Sequence, residues 1–462
     1  MLKLEFDRGT ILVHGDRDQV EELALPSCTF DQRVARHRIP ARYYREIITL
    51  LTTRGINYQD DARSYKKLDL SFQLDRAPFP YQQEAVDAWW QAGGRGVVVL
   101  PTGSGKTFVA LMAAARVQRS TLVIVPTIDL MQQWYGVISS QFDTEVGLIG
   151  GGYYDIEPVT VSTYDSAYLH MERLGQLFGL IIFDECHHLP GPSYLMTADL
   201  SLAPYRLGLT ATLEREDGAE HLLNNAIGET VYRQEIHSLS GEYLSGYETI
   251  KISVRLSPEE WADYQKARNT YRSFLDSQRI SLSGRSGWVR FLSATSRSED
   301  GRRAFTAYRT QKNIAQGSQA KLRVLERLMR QHRRDRMLIF TNDNETVYRI
   351  SRQFLIPAIT HQTKVKERKE TLGAFNAGEY PFLVTSRVLN EGVDVPEANV
   401  AVVLSGSSTV REHVQRLGRI LRRVEGKHAI LYELVAERTG EEYASTRRRQ
   451  HSAYRKTPAR RD

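Results

Sequence analysis

Twice along this chain, short and uniformly apolar segments alternate with stretches of helical spacing, and no other feature restricts the fold as much. Between about 77 and 236 the segments are VVVL, TLVIVP, TVSTY and LIIFDE; between about 313 and 440 they are MLIF, PFLVTS and VAVVLS. Segments apolar on both faces are buried on both faces, and helices between them build parallel sheets with crossover connections. A chain of 462 residues exceeds one ordinary core. The pattern therefore predicts an α/β protein with two parallel-sheet domains of duplicated architecture.

Three further segments fall outside this rhythm. Residues 1–76 combine strand-like pieces (LKLEFDRGTILVHG) with a helix-like run around Tyr43 to Thr53 and a polar exit, NYQDDARSYKK, which predicts a separate α+β domain. Residues 237–312 are rich in arginine and aromatics, among them Trp261, Tyr264, Tyr271, Phe274, Trp288, Phe291, Phe305 and Tyr308. At helical spacing such rings more commonly form a core than a stacking platform. Residues 441–462 form a basic tail.

The opening MLKLEFDRGT holds no signal-peptide core, no apolar run nears the roughly 18–20 residues that cross a bilayer, and the cysteines are only Cys28 and Cys186. A cytoplasmic protein without membrane contact is expected. The formal charge of +7 favours a polyanionic partner, though weakly on its own.

PTGSGKT at 101–107 follows the strand VVVL and precedes the helical FVALMAAARV, the context a phosphate-binding loop requires. Thr102, Gly103, Ser104 and Gly105 would turn main-chain N–H groups towards phosphates at a helix N-terminus. Lys106 would neutralise the β- and γ-phosphates, and Thr107 would ligate Mg²⁺. The strict pattern has glycine where this chain has Leu100. In DECHH at 184–188, Asp184 would hold Mg²⁺ and Glu185 would orient the attacking water. Cys186, His187 and His188 lack zinc-ligand spacing, and on an extended backbone they would point to alternating faces.

The ordered set PTGSGKT, DECHH, LTAT (209–212) and QRLGRILR (415–422) resembles a superfamily 2 helicase core. More narrowly the chain resembles the XPB family of DNA repair and transcription helicases in its short archaeal form, from the N-terminus to about residue 440. The resemblance implies two RecA-like domains, 77–236 and 313–440, a damage-recognition domain over 1–76 and a thumb-like DNA-gripping insertion at 237–312. It assigns Gln82 to adenine, Thr210 and Thr212 to coupling, and Asp394 in GVDVP to the ribose or an arginine. Arg419 and Arg422, which share one helix face at a spacing of three, would reach the γ-phosphate and complete the site from the second domain.

By the same resemblance Thr127, Thr163, Thr341 and Thr385 would touch the DNA backbone, where a hydroxyl bonds phosphate without reading sequence. Each is equally an ordinary strand-end threonine. Arg215, Glu216 and Asp217 match the family's RED motif for strand separation, with a solvated turn as the alternative. Arg42, Tyr43, Tyr44 and Arg45 would grip distorted duplex, unless a tyrosine faces the core. The activity implied is an ATP- and Mg²⁺-dependent 3′-to-5′ helicase or translocase at single-strand/duplex junctions in nucleotide excision repair, with a nuclease partner. The rivals are an RNA helicase, whose commonest version carries DEAD rather than DECH, a restriction or remodelling motor, and a nucleotide-gated binding module.

Overall fold

The alternating LKLEFD and TILVH form a hairpin, β1 (Leu2–Asp7) antiparallel to β2 (Thr10–His14), with Leu2, Leu4, Ile11 and Val13 all buried. With β3 (Thr29–Asp31), β4 (Arg36–Pro40) and β5 (Tyr58–Asp61) it makes a five-stranded sheet in the order β3-β4-β2-β1-β5. The helices of this part are α1 (Arg17–Glu22) and α2 (Tyr44–Thr53). Tyr44, Ile47 and Leu51 of α2 enter the same apolar core as Ile39 and the much later Leu202.

The computed structural model describes residues 2–71, 77–215, 217–239, 243, 246–282, 284–386, 398–405 and 428–449. These divide into two units, one reaching to Ser238 and one beginning at Leu239. Among the described residues no helix is long and apolar enough to cross a membrane.

The first unit continues with β6 (Arg95–Val99), β7 (Thr121–Val125), β8 (Val146–Gly150), β9 (Tyr153–Tyr154), β10 (Val159–Thr163), β11 (Leu180–Asp184), β12 (Tyr205–Thr210) and β13 (Thr230–Arg233). Their order is β13-β6-β12-β11-β7-β10-β8-β9, and every pairing is parallel except β8 with β9. The chain passes from β6 to β7, while β12 and β11 fill the space between them. The carboxyl ends of β6, β12 and β11 therefore lie side by side, the position where open α/β sheets bind ligands. The connecting helices include α3 (Pro80–Gln91), α4 (Lys106–Val117), α5 (Ile128–Gln141) and α6 (Tyr164–Leu174).

The N-terminal sheet is fastened to the part that carries this larger sheet by Arg42 and Arg45, two of the four residues expected to grip duplex. Arg42 pairs with Asp199 at 2.9 Å and donates to the Tyr43 hydroxyl. Arg45 donates to the Gly93 and Pro204 carbonyls at 2.7 and 3.2 Å, and the Tyr44 hydroxyl donates to Asp60 at 2.6 Å inside the core. Each of the four has a polar atom engaged within the protein, and Tyr44 takes the core-facing alternative.

In the second unit, β14 (Gly246–Val254), β15 (Met337–Phe340), β16 (Ala358–Ile359), β17 (Phe382–Thr385), β18 (Val400–Val403) and β19 (His428–Ala436) form an all-parallel sheet in the order β14-β19-β18-β15-β17-β16. The boundaries expected at 237 and 312 do not coincide with its elements. β14 pairs with β19 over nine residues and so belongs to this sheet. The insertion proper is three helices, Pro258–Ser277, Gly284–Thr295 and Glu299–Gly317. Phe274 and Phe291 are buried between them with Tyr271, Trp288, Phe305 and Tyr308 packed around, so these rings are the subdomain's own core.

Candidate active site

The loop between β6 and α4 owes its shape to two glycines and one pinned carbonyl. Gly103 and Gly105 have φ of 85° and 81°, a region that other residues rarely adopt. The Ser104 carbonyl accepts from the Tyr81 hydroxyl at 2.7 Å and from Gln82 Nε2 at 2.9 Å. A trans peptide then points the Gly105 N–H the opposite way, beside the Lys106 and Thr107 N–H groups that open α4 without helical acceptors. Gln82 is buried, and its Oε1 accepts from the Phe79 N–H at 3.1 Å. Both ends of this amide are thus occupied by the protein, where the resemblance implied contact with adenine.

Lys106 opens α4, and its Nζ sits 3.4 Å from the Leu100 carbonyl and 4.0 Å from Glu185 Oε1. The neighbouring strand supplies the link, because the Leu100 N–H donates to the Thr210 carbonyl at 3.0 Å. Thr107 follows Lys106 and is partly exposed. The Thr102 and Thr212 hydroxyls are buried without a hydrogen-bond partner among the described residues.

Asp184 ends β11 with its carboxylate buried. Trp134 Nε1 donates to Oδ2 at 2.8 Å, and the Glu185 N–H donates to Oδ1 at 3.0 Å. Burial, and secondarily the charge of Glu185, pushes this carboxyl up to about 6, against the opposing pull of Trp134 and Lys106. Glu185 has φ of 47°, and Cys186–His188 form a 3₁₀ turn. The extended backbone assumed for DECHH is therefore not what forms. The turn sends Cys186 into the sheet's core and brings His187 against Thr210.

His187 Nδ1 lies 3.0 Å from Thr210 Oγ1 and 3.3 Å from Glu185 Oε2. Thr210 Oγ1 donates to the Thr212 carbonyl at 2.8 Å and accepts the Thr212 N–H at 3.2 Å. A proton on His187 Nδ1 satisfies this set. Arg215 Nη1 donates to the His187 carbonyl, while Nε and Nη2 hold Asp217 at 2.8 and 2.7 Å. That pairing keeps the Asp217 carboxyl well below the usual carboxylate range. DECHH, LTAT and the following charged loop are thus one hydrogen-bonded assembly.

A second surface forms at the carboxyl ends of β7, β8 and β10. Thr127 caps α5 by accepting the Leu130 N–H at 3.2 Å, and Thr163 caps α6 by accepting the Ser166 N–H at 3.3 Å. Gly150–Gly152 lie between them. A Cβ on Gly150 would come within 3.1 Å of Thr163, and one on Gly151 within 3.3 Å of Ile128. Sequence reasoning passed over this glycine triplet, although the run itself was the available signal. It also missed Tyr81 and Trp134, whose partners are distant in sequence and leave no local mark.

In the second unit Thr341 and Thr385 meet, the Thr341 N–H donating to the Thr385 carbonyl at 3.0 Å. Both are fully buried, and their hydroxyls donate to the Asp343 and Ser386 carbonyls at 2.9 and 3.2 Å. Arg419, Arg422, Asp394 and Glu216 lie outside the described residues.

Comparison with known proteins gives a consistent picture. Residues 4–62 match the model described as Xeroderma pigmentosum group B helicase damage recognition domain. Residues 76–215 match Type III restriction enzyme, res subunit, and 320–424 match Helicase conserved C-terminal domain. A "DNA 3'-5' translocase XPB2" of Sulfurisphaera tokodaii is 39% identical over 437 residues, covering 88% of this chain and 99% of the relative. A "DNA 3'-5' helicase XPB" of Mycobacterium tuberculosis is 34% identical over 384 residues, covering 80% of this chain and 62% of that longer relative. Among solved structures, the Pyrococcus furiosus Hef helicase domain matches with a TM-score of 0.51 at 20% identity, over 80% of this chain and 98% of that one, a likeness of fold.

Proposed function

Because the chain belongs to the XPB helicase family, we propose that it is an ATP-driven motor that moves 3′ to 5′ along DNA and opens duplex at junctions during nucleotide excision repair. The observation that carries this reading is the set of Lys106, Asp184 and Glu185 at the ends of the two strands that flank β12, with the Lys106 ammonium 4.0 Å from the Glu185 carboxylate. The donor chemistry there suits Mg·ATP: a glycine-shaped loop at a helix N-terminus, a lysine without a closer carboxylate among the described residues, and a buried aspartate.

Bound Mg·ATP would supply the phosphoanhydride whose hydrolysis drives the cycle. Lys106 would neutralise phosphate charge, and Thr107 with Asp184 would hold the cation. Glu185 orients a water and takes its proton, helped by the His187 N–H that fixes its second oxygen. Thr210, bonded to that histidine, and Thr212, bonded to Thr210, feel any change at Glu185, and Arg215 passes it to Asp217. The capped N-termini of α5 and α6 and the Gly150–Gly152 loop offer main-chain N–H groups to a phosphate backbone of any sequence. Arg419 and Arg422 are assigned to the γ-phosphate and Asp394 to the ribose or an arginine. A nuclease that cuts the strand this motor exposes is the expected protein partner.

The test is ATP turnover of the full chain alone, with single-stranded or junction DNA, and with matched RNA. Strong stimulation by DNA, lost in Glu185→Gln, is expected. Stimulation by RNA alone would turn the reading towards an RNA helicase, and indifference to both would leave only a nucleotide-gated module.

A further inference from the structure

We propose that Trp134 is a positioning residue for Asp184, whose indole N–H sets the orientation in which that carboxylate receives Mg²⁺. This rests on the reading of Asp184 as the metal-holding group.

Trp134 lies two turns into α5 and is 2% exposed. A buried indole needs only some acceptor for its single N–H, and a main-chain carbonyl serves equally well. Trp89, similarly buried, donates to the Arg206 carbonyl at 2.9 Å. Trp134 instead donates to Asp184 Oδ2 at 2.8 Å, while the Glu185 N–H donates to Oδ1 at 3.0 Å. One donor on each oxygen fixes the plane of the carboxylate and leaves each oxygen a further lone pair for a cation or its waters.

The kind of donor matters as much as its position. An arginine or lysine paired with Asp184 would orient it but also compete with Mg²⁺ for its charge. Both donors here are neutral N–H groups, and an indole has no acceptor with which to enter the coordination sphere itself. Outer donors of this kind orient metal ligands, and their loss commonly costs about 10–100-fold in metal affinity. The same helix begins at the Thr127 cap, so the element that holds the metal-binding carboxylate also reaches the surface assigned to DNA.

The experiment replaces Trp134 with benzothienylalanine, which keeps the ring shape but carries sulfur in place of the N–H, and compares it with Trp134→Phe. ADP binding to the full chain without DNA is titrated with Mg²⁺, and ADP binding is also measured in chelator. The proposal predicts a Mg²⁺ midpoint raised about 10–100-fold, with magnesium-free ADP affinity and melting temperature of the isostere unchanged. An unshifted midpoint in both variants overturns it, as does an equal loss of ADP affinity with and without Mg²⁺. Wild-type protein that binds no ADP would instead overturn the underlying nucleotide-site reading.

Discussion

Lys106 and Asp184 show how much a single group here depends on its surroundings. Among the described residues the Lys106 ammonium has the Leu100 carbonyl and the Glu185 carboxylate within reach, at 3.4 and 4.0 Å. Neither distance amounts to a close ion pair, so the charge remains available to a phosphate. Lys106→Ala should therefore lose at least about 10²-fold in ATP turnover, the scale on which a single transition-state charge contact acts, while retaining DNA affinity. Wild-type turnover would remove the phosphate-loop assignment.

Asp184 gives a pH prediction. Its folded value of about 6 lies above its ordinary 3.8, so between these values the native state binds more proton than the unfolded chain. Its stability contribution is complete below 3.8 and lost as pH rises through 6. Cation binding runs in the opposite sense, because Mg²⁺ needs the ionised carboxylate. Mg²⁺-dependent ADP affinity should thus weaken as pH falls from 7.5 through 6, and an affinity flat to pH 5 would contradict this assignment.

The elements divide by how local their causes are. The shape of the loop was readable from PTGSGKT because its requirements, two glycines at positive φ and a helix start, lie within seven residues. The alternation of strands was readable for the same reason. What escaped reading depends on partners far along the chain. YETIKISV becomes a strand of the second sheet because β19, starting at His428, lies beside it. DECHH departs from extended backbone because Glu185 adopts φ of 47°, which lets Cys186 fill the core and His187 meet Thr210.

The residues Arg42–Arg45 are the clearest case. Their basic and aromatic character suggested DNA, yet the arginines hold the two sheets of the first unit together through Asp199, Gly93 and Pro204. Arg45→Ala should cost about 1–3 kcal/mol in that docking. It should be visible as faster proteolysis in the connection after β5, without a proportionate loss of DNA affinity. Weakened DNA binding with unchanged proteolysis would return Arg45 to the role first expected of it.

At the scale of the whole molecule, the first sheet brings together Lys106, Asp184 and Glu185, the set proposed to hydrolyse ATP, beside capped helix ends proposed to meet a phosphate backbone. The net charge of +7 is in keeping with a polyanionic track. The proposal is that hydrolysis is converted into directed motion, and binding or turnover alone does not test that conversion. Displacement of streptavidin from biotinylated single-stranded DNA tests it directly. ATP should accelerate release from a 5′-terminal biotin but not from a 3′-terminal one, and Lys106→Ala should abolish the difference. Release that is equally slow from both ends with and without ATP, in protein that hydrolyses ATP, would contradict the account.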